Sequence, residues 1–189
     1  MARYTGEHKD ETRERILKAA AKEFRSRGYE NATIPGIMEV AGLTVGGFYK
    51  HFDSKASLFI EAFREAFAKS SERSNQLRQV LQGRDYLMAF ADNYLTLAHR
   101  HNLRGGCVMA ALASEMPRAD AEARAAYEDL LSPTFDRLAD AFGGDREKAV
   151  AFQSLLVGGM TLARGMESDG AAEEILRGCR VTAQGLIDD

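Results

Sequence analysis

The chain has 189 residues, of which 45% are hydrophobic and 28% charged, with a net charge of −3. That balance suits a globular protein of one large or two small domains, and argues against both a disordered chain and a protein that coats nucleic acid indiscriminately. The N-terminus has no apolar run of the secretory kind, and the longest charge-free stretch, residues 149–163, is shorter than the roughly 20 residues a membrane span needs. Two cysteines are too few for a disulfide framework, so a soluble, cytoplasmic protein with no membrane partner is expected.

Only three prolines occur and the dominant spacing of apolar residues is helical, so the fold class expected is all-α. Residues 1–9 lack periodicity and read as a flexible arm. A first helix is expected over about 11–27, with Ile16, Leu17, Ala20 and Phe24 on one face. Gly28 ends it, and Tyr29 packs back under the next helices.

Residues 33–52 read as two short helices joined by a tight turn. Thr33 can cap the first, whose buried face is Ile34, Ile37, Met38 and Ala41. Gly42 stops it, Leu43 plugs the turn, and Thr44 is the expected N-cap of a second helix over 45–51. Such a pair has the form of a helix-turn-helix, whose second helix enters the major groove of double-stranded DNA. Phosphate contacts are expected from Thr33, Thr44, Tyr49, His51 and Lys55, because hydroxyls, imidazoles, amines and helix N-termini suit an anionic oxygen. Base edges would be met by Val45, Gly46, Gly47 and Lys50. The two glycines cost about 1 kcal/mol each relative to alanine, which close approach of DNA explains better than packing does. Phe48 and Phe52 read as core. Arg3 and Lys9 of the arm can follow a minor groove, and Arg13 or Lys18 can touch phosphate; a disordered terminus and a solvated face are the plain alternatives. Charge is mildly asymmetric: residues 1–55 hold 10 Lys+Arg against 8 Asp+Glu, the remainder 15 against 20.

The segment AGLTVGGFYKHFDSKASL resembles the DNA-reading segment of the TetR family of bacterial transcriptional regulators. Ala41-Gly42, Thr44, Gly46, Phe48-Tyr49, His51-Phe52 and Ser54-Lys55 carry the resemblance. Pro35 and Gly36 depart from the polar residues more usual there, which removes any expected contact from position 36. The resemblance implies a phosphate-binding role for Lys55 after the cap Ser54. It also implies a homodimeric repressor of near-palindromic operator DNA and a C-terminal domain that takes a small-molecule effector. The domains expected are 1–55, with the helix-turn-helix at 33–52, and 56–189.

Residues 54–82 form one long helix, on the order of 40 Å, with Leu58, Phe59, Ala62, Phe63, Ala66 and Phe67 as its apolar stripe. Further helices are expected over 85–101 and 120–142, the latter kinked or restarted at Pro133 with Ser132 as cap, and over 146–166 and 171–187. Between the first two lies an apolar segment, CVMAALASEM, closed by Pro117. Phe90, Tyr94, Met109, Leu112, Tyr127 and Leu131, with Asn93 and Arg104 as polar anchors, are candidates for an effector pocket suited to an apolar or flat ligand, and each also reads as plain core. By the resemblance, the last two helices form a four-helix bundle with a second subunit, with Leu155, Gly158, Gly159, Leu176, Cys179 and Ala183 at the interface. Cys107, after Gly105-Gly106 and near Arg104, is a redox candidate, since a helix N-terminus and a cation favour the thiolate; a small buried hydrophobe is the plain alternative.

His99 and His101, two apart on a helix, point to nearly opposite sides, so no metal and no cofactor is expected. No phosphate loop, nucleophile elbow or HExxH motif occurs, and no enzymatic activity is expected. Two other readings stand beside the ligand-responsive repressor: a repressor that responds to oxidants or electrophiles through Cys107, and a helical ligand-binding adaptor without DNA activity.

Overall fold

The computed structural model describes residues 2–189, and the side chains of residues 8–68, 72 and 74–189. Among the described residues the structure is helical without strands, as composition and periodicity led one to expect. In chain order, α1 spans Ala2–Asn31, α2 Ile34–Val40, α3 Lys55–Val80, α4 Gly83–Tyr94, α5 Leu97–His101, α6 Val108–Leu112, α7 Ala121–Ala141, α8 Arg146–Arg164 and α9 Asp169–Asp188. Two 3-10 segments, Val45–Lys50 and Met116–Arg118, complete it.

Four expectations are corrected, and the apolar segment after Cys107 gains its secondary structure. The arm is not separate: α1 is helical from Ala2, no proline interrupting it, and the Thr12 hydroxyl donates to the His8 carbonyl at 2.8 Å. The side chain of Arg3 lies outside the described residues. The helix expected over 85–101 is two helices, broken at Leu95. Thr96 caps α5 by accepting from the His99 amide, and the Leu95 carbonyl freed at the break accepts from the Arg180 guanidinium of α9. Conversely, of the kink or restart expected at Pro133 the restart does not occur: α7 runs through it, with Ala126, Thr134 and Leu138 burying the turns on both sides. The segment after Cys107 makes one helical turn and then a 3-10 turn, which Pro117 occupies early, where it has no helical amide to lose. Lastly, the second helix of the reading head is 3-10 rather than α.

Two apolar clusters hold the chain together. The first joins Ile16, Phe24, Ile37, Met38, Phe48 and Phe52 to the stripe of α3 at Leu58, Phe59 and Phe63. It does not stop at residue 55: Val108, Leu112 and Met116 belong to it too, so the body's α6 is part of the head's floor. Phe24, Tyr29 and Phe59 meet edge-on and stacked, with ring centroids 4.8–5.9 Å apart. At the end of α1, Gly28 takes φ 80° and ψ 170°, and the Glu115 carboxylate fills the space a side chain would need there, accepting from the Tyr29 amide.

The second cluster lies among α4, α6, α7, α8 and α9, around Tyr86, Leu87, Phe152, Leu156, Met160 and Leu176. It corrects part of the expected dimer interface. Gly159, Leu176 and Ala183 face inward within one chain: a Cβ at Gly159 would collide with the Cys179 sulfur, and Leu176 and Ala183 are fully buried. Apolar periodicity marks the inner face of a helix, and here that face is consumed by α8 packing on α9. The outer face is different. Gly158, Gly178 and Gly185 have nothing within 4 Å of a built Cβ, and Leu162 and Val181 are more than half exposed between them.

Candidate nucleic-acid interface and ligand cavity

The reading head is built on two anchors. Thr33 caps α2 by accepting from the Gly36 amide at 3.2 Å, and the Arg15 guanidinium satisfies the Ala41 carbonyl at its other end at 2.8 Å. Gly42 then turns with φ 68°, and the Leu43 amide donates back to Met38 at 2.9 Å. Phe48 and Phe52, buried and stacked at 5.9 Å, hold the 3-10 turn from below. Arg13 is committed to this floor, paired with Glu61 and lying over the Phe52 ring at 4.8 Å.

With the aromatics pinned inward, the opposite face is left bare. Thr44, Val45, Gly46, Tyr49 and Lys50 are all exposed, Tyr49 at 66% despite its size. Thr44 precedes the turn but its hydroxyl makes no capping hydrogen bond, contrary to expectation, because the 3-10 geometry satisfies the Gly47 amide with the Thr44 carbonyl at 3.0 Å. A Cβ at Gly46 would meet nothing within 4 Å, and one at Gly47 only the Met38 methyl at an ordinary 3.8 Å. Packing therefore does not require either glycine. His51 closes the turn with Nδ1 buried and unpartnered among the described residues; burial, then Lys9, Arg13 and Lys50, lower its pKa, so it is held neutral. Lys55 is turned inward: its ammonium donates to the Glu30 carbonyl at 3.2 Å and lies 4.6 Å over the Tyr29 ring. It starts α3 behind a capping box made by Ser54 and Ser57.

A cavity of about 850 Å³ lies between α1, α3 and the body helices. Of the residues expected in a pocket, Phe90, Asn93, Tyr94 and Met109 line it. The others do not. Leu112 is buried in the head's floor, Tyr127 and Leu131 line a separate groove, and Arg104 is exposed on the loop after α5 and lines none of these spaces. What sequence reading missed is that α1 contributes a wall, with Lys18, Lys22 and Arg25. Their own spacing of four and three was visible, but nothing in the sequence says a cavity opens opposite them.

Cys107 is buried in the cavity wall as the N-cap of α6. Its amide donates to His99 Nε2 at 3.0 Å, which leaves His99 Nδ1 to donate to the Tyr94 carbonyl at 2.7 Å and fixes the tautomer. The Tyr94 hydroxyl is buried beside the Cys107 thiol; burial, then the neighbouring Cys107, push its pKa well up. His101 pairs with Asp169 at 3.0 Å, as does Arg100, whose buried guanidinium also bonds the carbonyls that end α8. Among the described residues no group of three or more His, Cys, Asp and Glu side chains is placed to hold a metal, and no helix is long and apolar enough to cross a membrane.

Residues 16–62 match the family described as bacterial regulatory proteins, tetR family. Curated relatives include the probable transcriptional regulator ArpR of Pseudomonas putida, 37% identical over 83 residues, and the transcriptional repressor AcnR of Corynebacterium efficiens, 34% identical over 85. These matches cover 41% and 44% of this chain and only 40% and 45% of those relatives. Two solved structures are similar nearly throughout. A TetR transcriptional regulator from Chloroflexus aurantiacus superposes with TM-score 0.78 at 25% identity, over 97% of each chain. The reduced form of NemR from E. coli gives 0.80 at 20%, over 94% of this chain and 97% of that one.

Proposed function

We infer that the chain is a TetR-family regulator, with residues 16–62 as its DNA-binding domain. On that premise it is a cytoplasmic, homodimeric transcriptional repressor that binds a near-palindromic operator and releases it when a small molecule fills the 850 Å³ cavity. The observation that carries this reading is the bare face of Thr44, Val45, Gly46, Tyr49 and Lys50. It offers hydroxyls and an amine for phosphate, a methyl-bearing side chain for thymine, and glycines that let the backbone approach. Thr33 and Lys55 contribute as pre-set neighbours, since each already serves a cap or a carbonyl of the head.

The cavity touches both α1 of the head and the body helices, so a ligand there would bias their relative position; a coupling of about 1–3 kcal/mol suffices for regulation. The dimer uses the outer face of α8 and α9, where open glycines and the exposed Leu162 and Val181 allow close helix approach. Leu155 and Cys179, both half-buried, stand at its edge. A two-fold dimer of this kind sets the reading heads about 34–36 Å apart. No catalytic role is assigned to any residue. A thiol-responsive version of the same repressor is favoured by one observation, that Cys107 lines the cavity. It predicts that a Cys107→Ser variant stops responding to oxidants or alkylators in DNA-release assays; an unchanged response ends it.

Binding to the intergenic DNA upstream of the chain's own gene tests the main reading. Affinity should fall steeply with salt, and Tyr49→Ala with Lys50→Ala, both on the exposed face, should cost about 30-fold or more. A double variant that binds as tightly as the parent would leave only the adaptor reading.

A further inference from the structure

We propose that the cavity selects a carboxylate-bearing amphiphile, its anionic group seated against Arg25 in the wall, with Arg164 behind that wall, and its apolar body against Phe67, Phe90 and Met109. This deepens the effector reading above and rests on it. Arg25 projects from α1 into the cavity wall, and its Nε is buried with no hydrogen-bond partner among the described residues. Arg164, at the end of α8, stands behind Gly106 and His99 of the same wall, with Nε and Nη1 buried and likewise unpartnered. Burial lowers the pKa of both guanidinium groups, and the Arg164 charge adds to the effect at Arg25, against the opposing influence of Cys107 on both and of Tyr94 on Arg164.

An arginine in the cavity wall and a second behind it, each with an idle donor, are an unfinished arrangement. Guanidinium groups stay protonated, so the repulsion is not relieved by losing a proton, and a buried cation without its partner is costly. A carboxylate supplies what is missing: two oxygens that accept from forked donors and a charge that cancels theirs. The surrounding charge agrees. Lys22 stands on the α1 wall, as does Lys18, whose ammonium is paired with Glu14 at 2.6 Å, and Glu65 is the single lining carboxylate among the described residues. A second polar vacancy lies further in. Gln153 is 2% exposed and its Oε1 has no partner among the described residues, so the apolar body of the ligand can carry one hydroxyl or amine donor.

Calorimetry on the full-length protein decides it with matched probes: naphthalene-2-carboxylate against naphthalene-2-carboxamide, and decanoate against decan-1-ol. The acids should bind about 10- to 100-fold tighter than their neutral partners, the range expected of hydrogen bonds to charged groups. Arg25→Gln and Arg164→Gln should each remove most of that preference and leave neutral-probe binding unchanged, while Arg25→Lys keeps part of it. Melting curves screen the variants for folding, and the parent's acid preference stands as a test without them. Equal binding of acid and neutral probe, or no binding by either acid, overturns the proposal. DNA release is read separately: acids that bind with the predicted preference yet leave operator affinity unchanged support the site and refute its regulatory role.

Discussion

The joint between the reading head and the body turns on Gly28 and Glu115, and a double-mutant cycle there has a calculable outcome. At φ 80° and ψ 170° Gly28 occupies backbone space that is essentially glycine's alone, so Gly28→Ala costs about 1–3 kcal/mol in strain. The new methyl group also displaces the Glu115 carboxylate, which accepts from the Tyr29 amide. A hydrogen bond to a charged group contributes about 1.5–3 kcal/mol, and Glu115 is half-exposed, so about 1.5 kcal/mol is the expected loss. Gly28→Ala should therefore destabilise by about 2.5–4.5 kcal/mol and Glu115→Ala by about 1.5 kcal/mol. The two losses share one hydrogen bond, so the double variant should be no worse than Gly28→Ala, a coupling of about 1.5 kcal/mol. Urea unfolding followed by far-ultraviolet circular dichroism measures all four corners of the cycle. If the double variant is destabilised by the full sum, within about 0.5 kcal/mol, the carboxylate does not hold the joint as described.

Gly46→Ala should raise unfolding stability by about 0.4–1 kcal/mol, because open space surrounds that Cβ, while weakening DNA binding; tighter binding would show that backbone approach is not its purpose. His51 is held neutral, with its pKa below the usual 6.5, so its contribution to stability is complete above pH 6.5 and is lost as pH falls toward the folded-state value. Melting temperature should thus fall more between pH 7.5 and 5.5 in the parent than in His51→Gln, and parallel falls would exclude His51 as the source. Alanine at the two adjacent glycines of α8 separates the helix's faces. Gly159→Ala should destabilise the folded chain by forcing Cys179 aside, whereas Gly158→Ala should leave the fold intact and shift the monomer–dimer balance seen by sedimentation.

Much of this protein is legible in the residues alone. The stop at Gly42, the caps at Thr33 and Ser54 and the inward Phe48 and Phe52 follow from local rules that act within a few residues of chain. That is why the residues by themselves place the reading head. Matters decided by residues far apart in sequence are not legible there. The break at Leu95 depends on Arg180, 85 residues away, and the continuity of α7 through Pro133 on burial from both sides. Periodicity picks out the apolar faces of α8 and α9 but does not say that each is already covered by the other, so inward Gly159, Leu176 and Ala183 read as contacts with a partner. Arg104 reads as a pocket anchor because it neighbours the pocket segment in sequence, yet the half-buried arginine in the cavity wall is Arg25 from α1, with Arg164 of α8 behind it. Capping and amphipathicity are properties of short segments. A cavity and its charge belong to the way those segments are brought together, and only the tertiary structure decides them.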